Sequence, residues 1–255
     1  MKSRHKFSAL ALLYSAPLAL SSLPSARAET IHILPIGDSI TQGGRLDGEY
    51  TYRYPLFYQL KAAGIDFNFI GSLRTGLDPS FKWPDKNGVP FDPDHEGHYG
   101  WKTTAVRDKL VEWSSGWAAV PDIAIIHLGT NDRDARDYNA GIAQPIKDMV
   151  TFLRTKNPRV AVLIGHLNFN DAQAAEIRKI VDAAAKEIST ADSPVTTVPT
   201  YEGWNPDPAQ PESDTFDWVH PSTRGEVKLA DKWFAALQPL LSKLASAPAV
   251  TEPAR

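Results

Sequence analysis

The sequence predicts an α/β fold, a three-layer α/β/α sandwich around a five-stranded parallel sheet, and three observations carry that expectation. Five apolar runs, at 31–36, 67–71, 123–128, 160–167 and 195–199, alternate with five segments of helical character. Most of these runs lack polar alternation, as strands do when helices cover both faces of a parallel sheet. The segments between them are long enough for the crossovers that parallel strands require.

Taken in order, the helices are expected at 53–63, 103–114, 139–155, 171–189 and 222–237. In the third, Ile142, Ile146, Met149, Val150 and Leu153 recur at three- and four-residue spacing and form one apolar stripe. Pro145 either kinks this helix or marks its true start. The last helix repeats the stripe with Val227, Ala230, Trp233, Phe234 and Leu237, and Pro239 is expected to kink or end it. Residues 72–99 and 200–221 show no period and read as long loops, which in a compact domain are usually functional.

The first 28 residues differ in kind. Lys2, Arg4, His5 and Lys6 precede an apolar run from Phe7 to Leu20, and Ala26-Arg27-Ala28 supplies small residues where a signal peptidase cuts. This reads as an export signal, so a secreted or periplasmic protein is expected, with one domain over 29–245 and a disordered tail over 246–255. The run is broken by Ser8, Ser15 and Pro17, and no other segment approaches the roughly 20 apolar residues of a membrane span. Losing the leader removes four basic and no acidic residues, taking the formal charge from −3 to −7. An acidic exported chain is poorly suited to nucleic acid or to an anionic membrane. With no cysteine present, disulfides, thiol catalysis and thiolate metal sites are excluded.

Two short words carry the chemistry. Gly37-Asp38-Ser39 follows the first strand directly, and Asp217-Trp218-Val219-His220 stands near the C-terminus. A serine hydroxyl needs a histidine to take its proton and a carboxylate to hold the imidazole, so Ser39, His220 and Asp217 are the candidate triad. The bland readings are a helix cap for Ser39 and a polar loop before Pro221 for the other two. Gly129-Thr130-Asn131-Asp132 follows another strand, which places Ser39 and Asn131 on the same carboxyl rim of the sheet.

Together these words resemble the SGNH (GDSL-like) hydrolases, a serine esterase superfamily with a flavodoxin-like fold. The resemblance implies an oxyanion hole made of the Ser39 N–H, a glycine N–H and the Asn131 amide. In His95-Glu96-Gly97-His98-Tyr99-Gly100-Trp101 the glycine is either Gly97 or Gly100, and Gly100 is preferred because it precedes the helix beginning near Thr103. Gly71 reads as a plain turn glycine. Asp38 and Asp132 belong to the words but are expected to brace their turns. His95, Glu96 and His98 form H-E-x-H without the spacing of a zinc helix, and no metal or cofactor is expected. His127 is expected to be a core histidine, and His166 is either structural or directed at the site.

Position sorts the seven tryptophans. Trp113, Trp117 and Trp233 are expected in the core, whereas Trp83, Trp101, Trp204 and Trp218 lie in or beside the long loops, as sugar-binding faces or local mini-cores. Trp101 and Trp218 are the candidate substrate contacts. The finer pattern, including Tyr-Arg-Tyr-Pro-Leu at 52–56 and His-Leu-Gly-Thr-Asn-Asp at 127–132, resembles the carbohydrate acetylesterases related to acetyl xylan esterase. That implies a monomeric serine O-acetylesterase acting on an acetylated carbohydrate through an acetyl-enzyme. The alternatives are a lipid or aryl esterase of the lysophospholipase type and a non-catalytic sugar-binding module.

Overall fold

In the computed structural model, which describes residues 30–46 and 48–246, the apolar runs become parallel strands. The expected export signal and residues 247–255 of the expected tail lie outside the described residues. The elements run β1 (Ile31–Gly37), α1 (Ser39–Gln42), α2 (Arg53–Ala62), β2 (Phe67–Phe69), β3 (Glu96–Gly97), α3 (Thr103–Trp113), β4 (Ile123–His127), α4 (Gln144–Lys156), β5 (Ala161–Gly165), α5 (Ala172–Ile188), β6 (Val195–Val198) and α6 (Thr223–Ser246). The strand order is β2-β1-β4-β5-β6, with every pairing parallel.

One edge is shared. β2 covers Ile31 to Ile33 of β1, and the two-residue β3 covers Ile36 and Gly37 beyond it. The sequence reading keeps 72–99 as loop throughout and runs the second strand on to Gly71. Two residues are too few to show a period, so β3 leaves no signal. Gly71 is no turn glycine either: a Cβ there would stand 2.2 Å from the His95 carbonyl carbon, so the glycine admits the incoming backbone of β3.

Alternate residues of each strand feed two separate cores. Ile31, Ile33, Ile123, Ile125, Ala161 and Leu163 pack with Leu56, Leu60, Leu229, Trp233 and Leu237 of α2 and α6. Leu34, Ile36, Ala124, Ile126, Val162 and Ile164 pack with Val106, Leu110, Ile146, Val150 and Ile177 of α3, α4 and α5. Helices therefore cover both faces, which is why the strands read as unbroken apolar runs. Each fully buried Leu or Ile contributes about 1.5–3 kcal/mol.

Two prolines resolve differently. Pro145 sits in the first turn of α4, after a π-helical turn at Asn139–Ala143, and so marks where α geometry starts. Pro239 does not end α6, which continues to Ser246. Burial of Leu237 and Leu241 on either side of it holds the helix against the core and offsets the lost hydrogen bond.

The order of strand addition switches side between β1 and β4: β2 follows β1 outward on one side, and β5 and β6 follow β4 on the other. Such a switch point opens a crevice at the carboxyl ends of the strands, and α1 and the Gly129–Asp132 turn flank it.

Candidate active site

Ser39 is the first residue of α1, and Asp38, not Ser39, caps it by accepting the Ile40 N–H at 3.0 Å. Gly37 permits so abrupt a turn: a Cβ there would lie 2.8 Å from the His127 carbonyl oxygen and closer still to Thr41. The turn is then tied to its surroundings by Arg53, a fully buried cation. It donates to the Thr41 carbonyl at 2.8 Å, the Gln42 carbonyl at 3.2 Å and the Pro93 carbonyl at 2.9 Å. Burial lowers its pKa to about 10 against the opposing charges of Asp92 and Asp94, so it stays charged at neutral pH.

His220 arrives from the far end of the chain on the loop before α6. Thr215 and Pro221 form an antiparallel bridge, and the Phe216 N–H donates to the His220 carbonyl at 3.2 Å, so the loop closes on itself. Asp214, fully buried, fixes its base by accepting from the Asn205 N–H at 2.8 Å, Lys228 at 2.5 Å and Arg224 at 3.2 Å. His220 Nε2 then stands 3.0 Å from Ser39 Oγ, and Nδ1 stands 2.8 Å from Asp217 Oδ2.

Asp217 Oδ1 also accepts the backbone N–H groups of His220 at 2.7 Å and Val219 at 3.2 Å. Partial burial raises its pKa, but these bonds together with the imidazole outweigh that and hold the carboxyl below its ordinary range. It is a carboxylate at neutral pH. The Tyr99 and Phe216 rings stack near-parallel to the imidazole, with centroids 5.2 and 6.0 Å away.

The Asn131 amide is oriented by donating one N–H to the Trp101 carbonyl at 3.0 Å. Asp132 beside it departs from the expectation that it braces its own turn: its carboxylate accepts from the Thr103 N–H at 3.0 Å and the Thr103 hydroxyl at 2.7 Å, joining this turn to the start of α3. Of the two candidate glycines, Gly97 is paired with Gly37 in the sheet and gives its N–H to His95 Nδ1 at 2.8 Å. Gly100 lies exposed in the following turn at φ +78°.

Other candidates find structural partners. Glu96 accepts from Trp117 at 2.6 Å, the Ser72 N–H at 2.6 Å and His98 at 3.1 Å, so H-E-x-H is a bracing cluster. His127 is buried on β4 with Nε2 on the His166 carbonyl, and burial lowers its pKa to about 4. His166 pairs with Asp182 of α5 at 2.8 Å. Trp101 packs on His98 and Trp113, and Trp204 is buried. Trp218 is different. It is 56% exposed at φ +70° and lines a cleft of about 640 Å³ with Thr130, Asn131, Arg133, Phe169 and Val219. Trp101, the other expected substrate contact, is half-buried against His98 and Trp113 and does not line this cleft, because loop position alone does not distinguish the two indoles.

Arg45, Glu49, Tyr99, Phe216, Arg133 and Phe169 were absent from the candidates drawn from the sequence. Tyr99 stands within the 95–101 word without being singled out there, no motif or period marks the others, and only the fold brings them to the crevice.

Fold and site together define a carboxylic ester hydrolase. Residues 36–227 match the GDSL-like Lipase/Acylhydrolase family, and the chain belongs to it. It is 26% identical to a multidomain esterase of Ruminococcus flavefaciens over 96% of this chain and 33% of that protein. It is 28% identical to an acetylxylan esterase of Xylanibacter ruminicola over 53% of this chain and 24% of that one. The chain thus spans a third or less of the curated relatives it matches. Among solved structures, a carbohydrate esterase of family 3 from Talaromyces cellulolyticus superimposes with a TM-score of 0.69 at 26% identity, covering 84% of this chain and 99% of that one.

Proposed function

We propose that this protein is an exported serine esterase that removes O-acetyl groups from a carbohydrate through an acetyl-enzyme. The observation that carries the reading is the continuous chain from Ser39 Oγ through His220 to Asp217, at 3.0 and 2.8 Å. In the proposed reaction His220 Nε2 takes the Ser39 proton as Oγ attacks the ester carbonyl, and Asp217 stabilises the imidazolium. Collapse of the tetrahedral intermediate breaks the bond to the sugar oxygen, which leaves with the proton from His220. Water, deprotonated by the same imidazole, then releases acetate and restores Ser39. The oxyanion is assigned to the N–H groups of Ser39 and Gly100 and to the second amide N–H of Asn131, whose first is committed to Trp101.

The carbohydrate part rests on the cleft and on the relatives. A non-glycine residue in the left-handed region costs about 1–3 kcal/mol and persists where the surroundings or function require it. Trp218 holds that conformation while exposing an aromatic face beside Asn131, as recognition of a sugar's apolar C–H face requires. The same apolar lining, Phe169 with Trp218 and Val219, also favours a second reading, an aryl or longer-chain acyl esterase.

Acetate release from acetylated xylan, mannan, pectin and peptidoglycan, with S39A as control, tests the first reading. A series of p-nitrophenyl esters separates the two: kcat/KM should fall as the acyl chain lengthens. A rise with chain length would replace the carbohydrate assignment with the lipid one.

A further inference from the structure

Asp217 is held by more than its own loop. Among the described residues, Arg45 supplies the one hydrogen bond reaching its carboxylate from elsewhere, Nη2 to Oδ2 at 3.3 Å. That oxygen is the one facing the imidazole. The Arg45 Nε donates to Glu49 Oε2 at 2.9 Å, and the guanidinium lies over the Tyr99 and Phe216 rings at 5.8 and 5.2 Å. These are the rings stacked on His220. The Glu49 side chain is only 3% exposed, and its second oxygen, Oε1, is buried with no hydrogen-bond partner among the described residues. A surface-type ion pair would not bury one carboxylate so thoroughly, because desolvation opposes it.

We infer that Arg45 is a positioning residue for the ester hydrolysis, steering Asp217 through a fork that Glu49 anchors. This rests on the reading of Ser39, His220 and Asp217 as the working triad. Arg45 holds the carboxylate oxygen against Nδ1, while Glu49 supports the cation from behind and moderates its field. The other groups facing this corner are Tyr99, whose phenol burial pushes up to about 12, Glu226 behind Glu49, and Asp38 before the nucleophile. Tyr99 carries no charge at working pH, so Arg45 and Glu49 set the local field together with Asp217 itself.

The test compares R45M, R45K and E49Q with the parent and with S39A, reading kcat, KM and the pH profile of kcat/KM on p-nitrophenyl acetate. R45M should lower kcat roughly tenfold with KM nearly unchanged, since in this inference Arg45 acts through Asp217 and not on the ester. Loss of the cation makes the imidazolium easier to form, so the acid limb of the profile should move up by about half a pH unit. R45K should return the limb to its parent position. E49Q should move it the opposite way, because the cation is then less compensated. Parent-like kcat and limb in R45M overturn the inference, and so does a loss of kcat with an unmoved limb and no rescue in R45K, which would make Arg45 a loop brace only. Retained activity in S39A would instead overturn the triad reading itself, and the R45M and R45K pair decides the inference should E49Q not fold.

Discussion

The two halves of the candidate site are built in opposite ways. The nucleophile side is part of the fold's interior: Ser39 is 3% exposed, Asp38 is fully buried, and both Gly37 and Arg53 are locked into backbone of neighbouring segments. The acid–base side is a surface loop, with the Asp217 side chain 34% exposed and Trp218 56% exposed. It is held by Asp214 at its base and Arg45 at its tip. The contrast teaches that one half inherits its precision from core packing, while the other must obtain it from a few polar contacts, which single substitutions can remove.

The largest effects should come from the residues that join the halves. S39A and H220A should each lower kcat by several orders of magnitude with native thermal unfolding, as acetate-release kinetics and calorimetry would show. If either variant kept a tenth of the parent rate, the two halves would not form one machine. N131A is next, with a fall of about 10²–10³ in kcat and little change in KM, because its amide acts on charge that develops in the transition state. A loss confined to KM would remove Asn131 from the oxyanion hole.

The loop side predicts a different signature. D214A leaves Lys228 and Arg224 without their shared carboxylate and frees the loop base. Both cations are partly exposed, so a stability loss of about 1–3 kcal/mol is expected rather than that of a fully buried pair. kcat should fall with it, and an unchanged kcat in a destabilised protein would show that loop geometry does not depend on this staple. W218G should leave thermal stability equal or better, since glycine accepts φ +70° without strain. It should cost about 1 kcal/mol, roughly fivefold in kcat/KM, on acetylated oligosaccharide and little on p-nitrophenyl acetate. Equal losses on both substrates would make Trp218 a loop brace.

The last effect concerns pH. Glu226, in the first turn of α6, accepts the Thr51 N–H at 2.5 Å, and burial raises its pKa to about 8. The folded state therefore binds a proton more tightly than the unfolded chain. Its contribution is present in full below the ordinary glutamate range and is lost as pH rises through about 8. Burial acts on Asp38 in the same direction, up to about 7. Denaturant melts at pH 5.5 and 9 should show E226Q losing less stability than the parent across that interval, and parallel losses would mean Glu226 is ionised throughout.

By itself the sequence determined the layers of the sheet and pointed to the candidate groups that the fold brings together. Runs such as 123–128 are apolar on both faces because both cores claim them, and that burial demand is written residue by residue. Ser39, Asn131, Asp217 and His220 were legible because turn chemistry confines them to short local words at strand ends. What depends on distant segments meeting was not legible. β3 is too short to carry a period, α6 passes Pro239 because Leu241 finds a core, and Trp101 and Trp218 differ in what packs on them and in backbone conformation. Arg45 reaches Asp217 across 172 positions of chain. Such contacts arise from where the fold brings surfaces together, a property of the whole chain that no local pattern encodes.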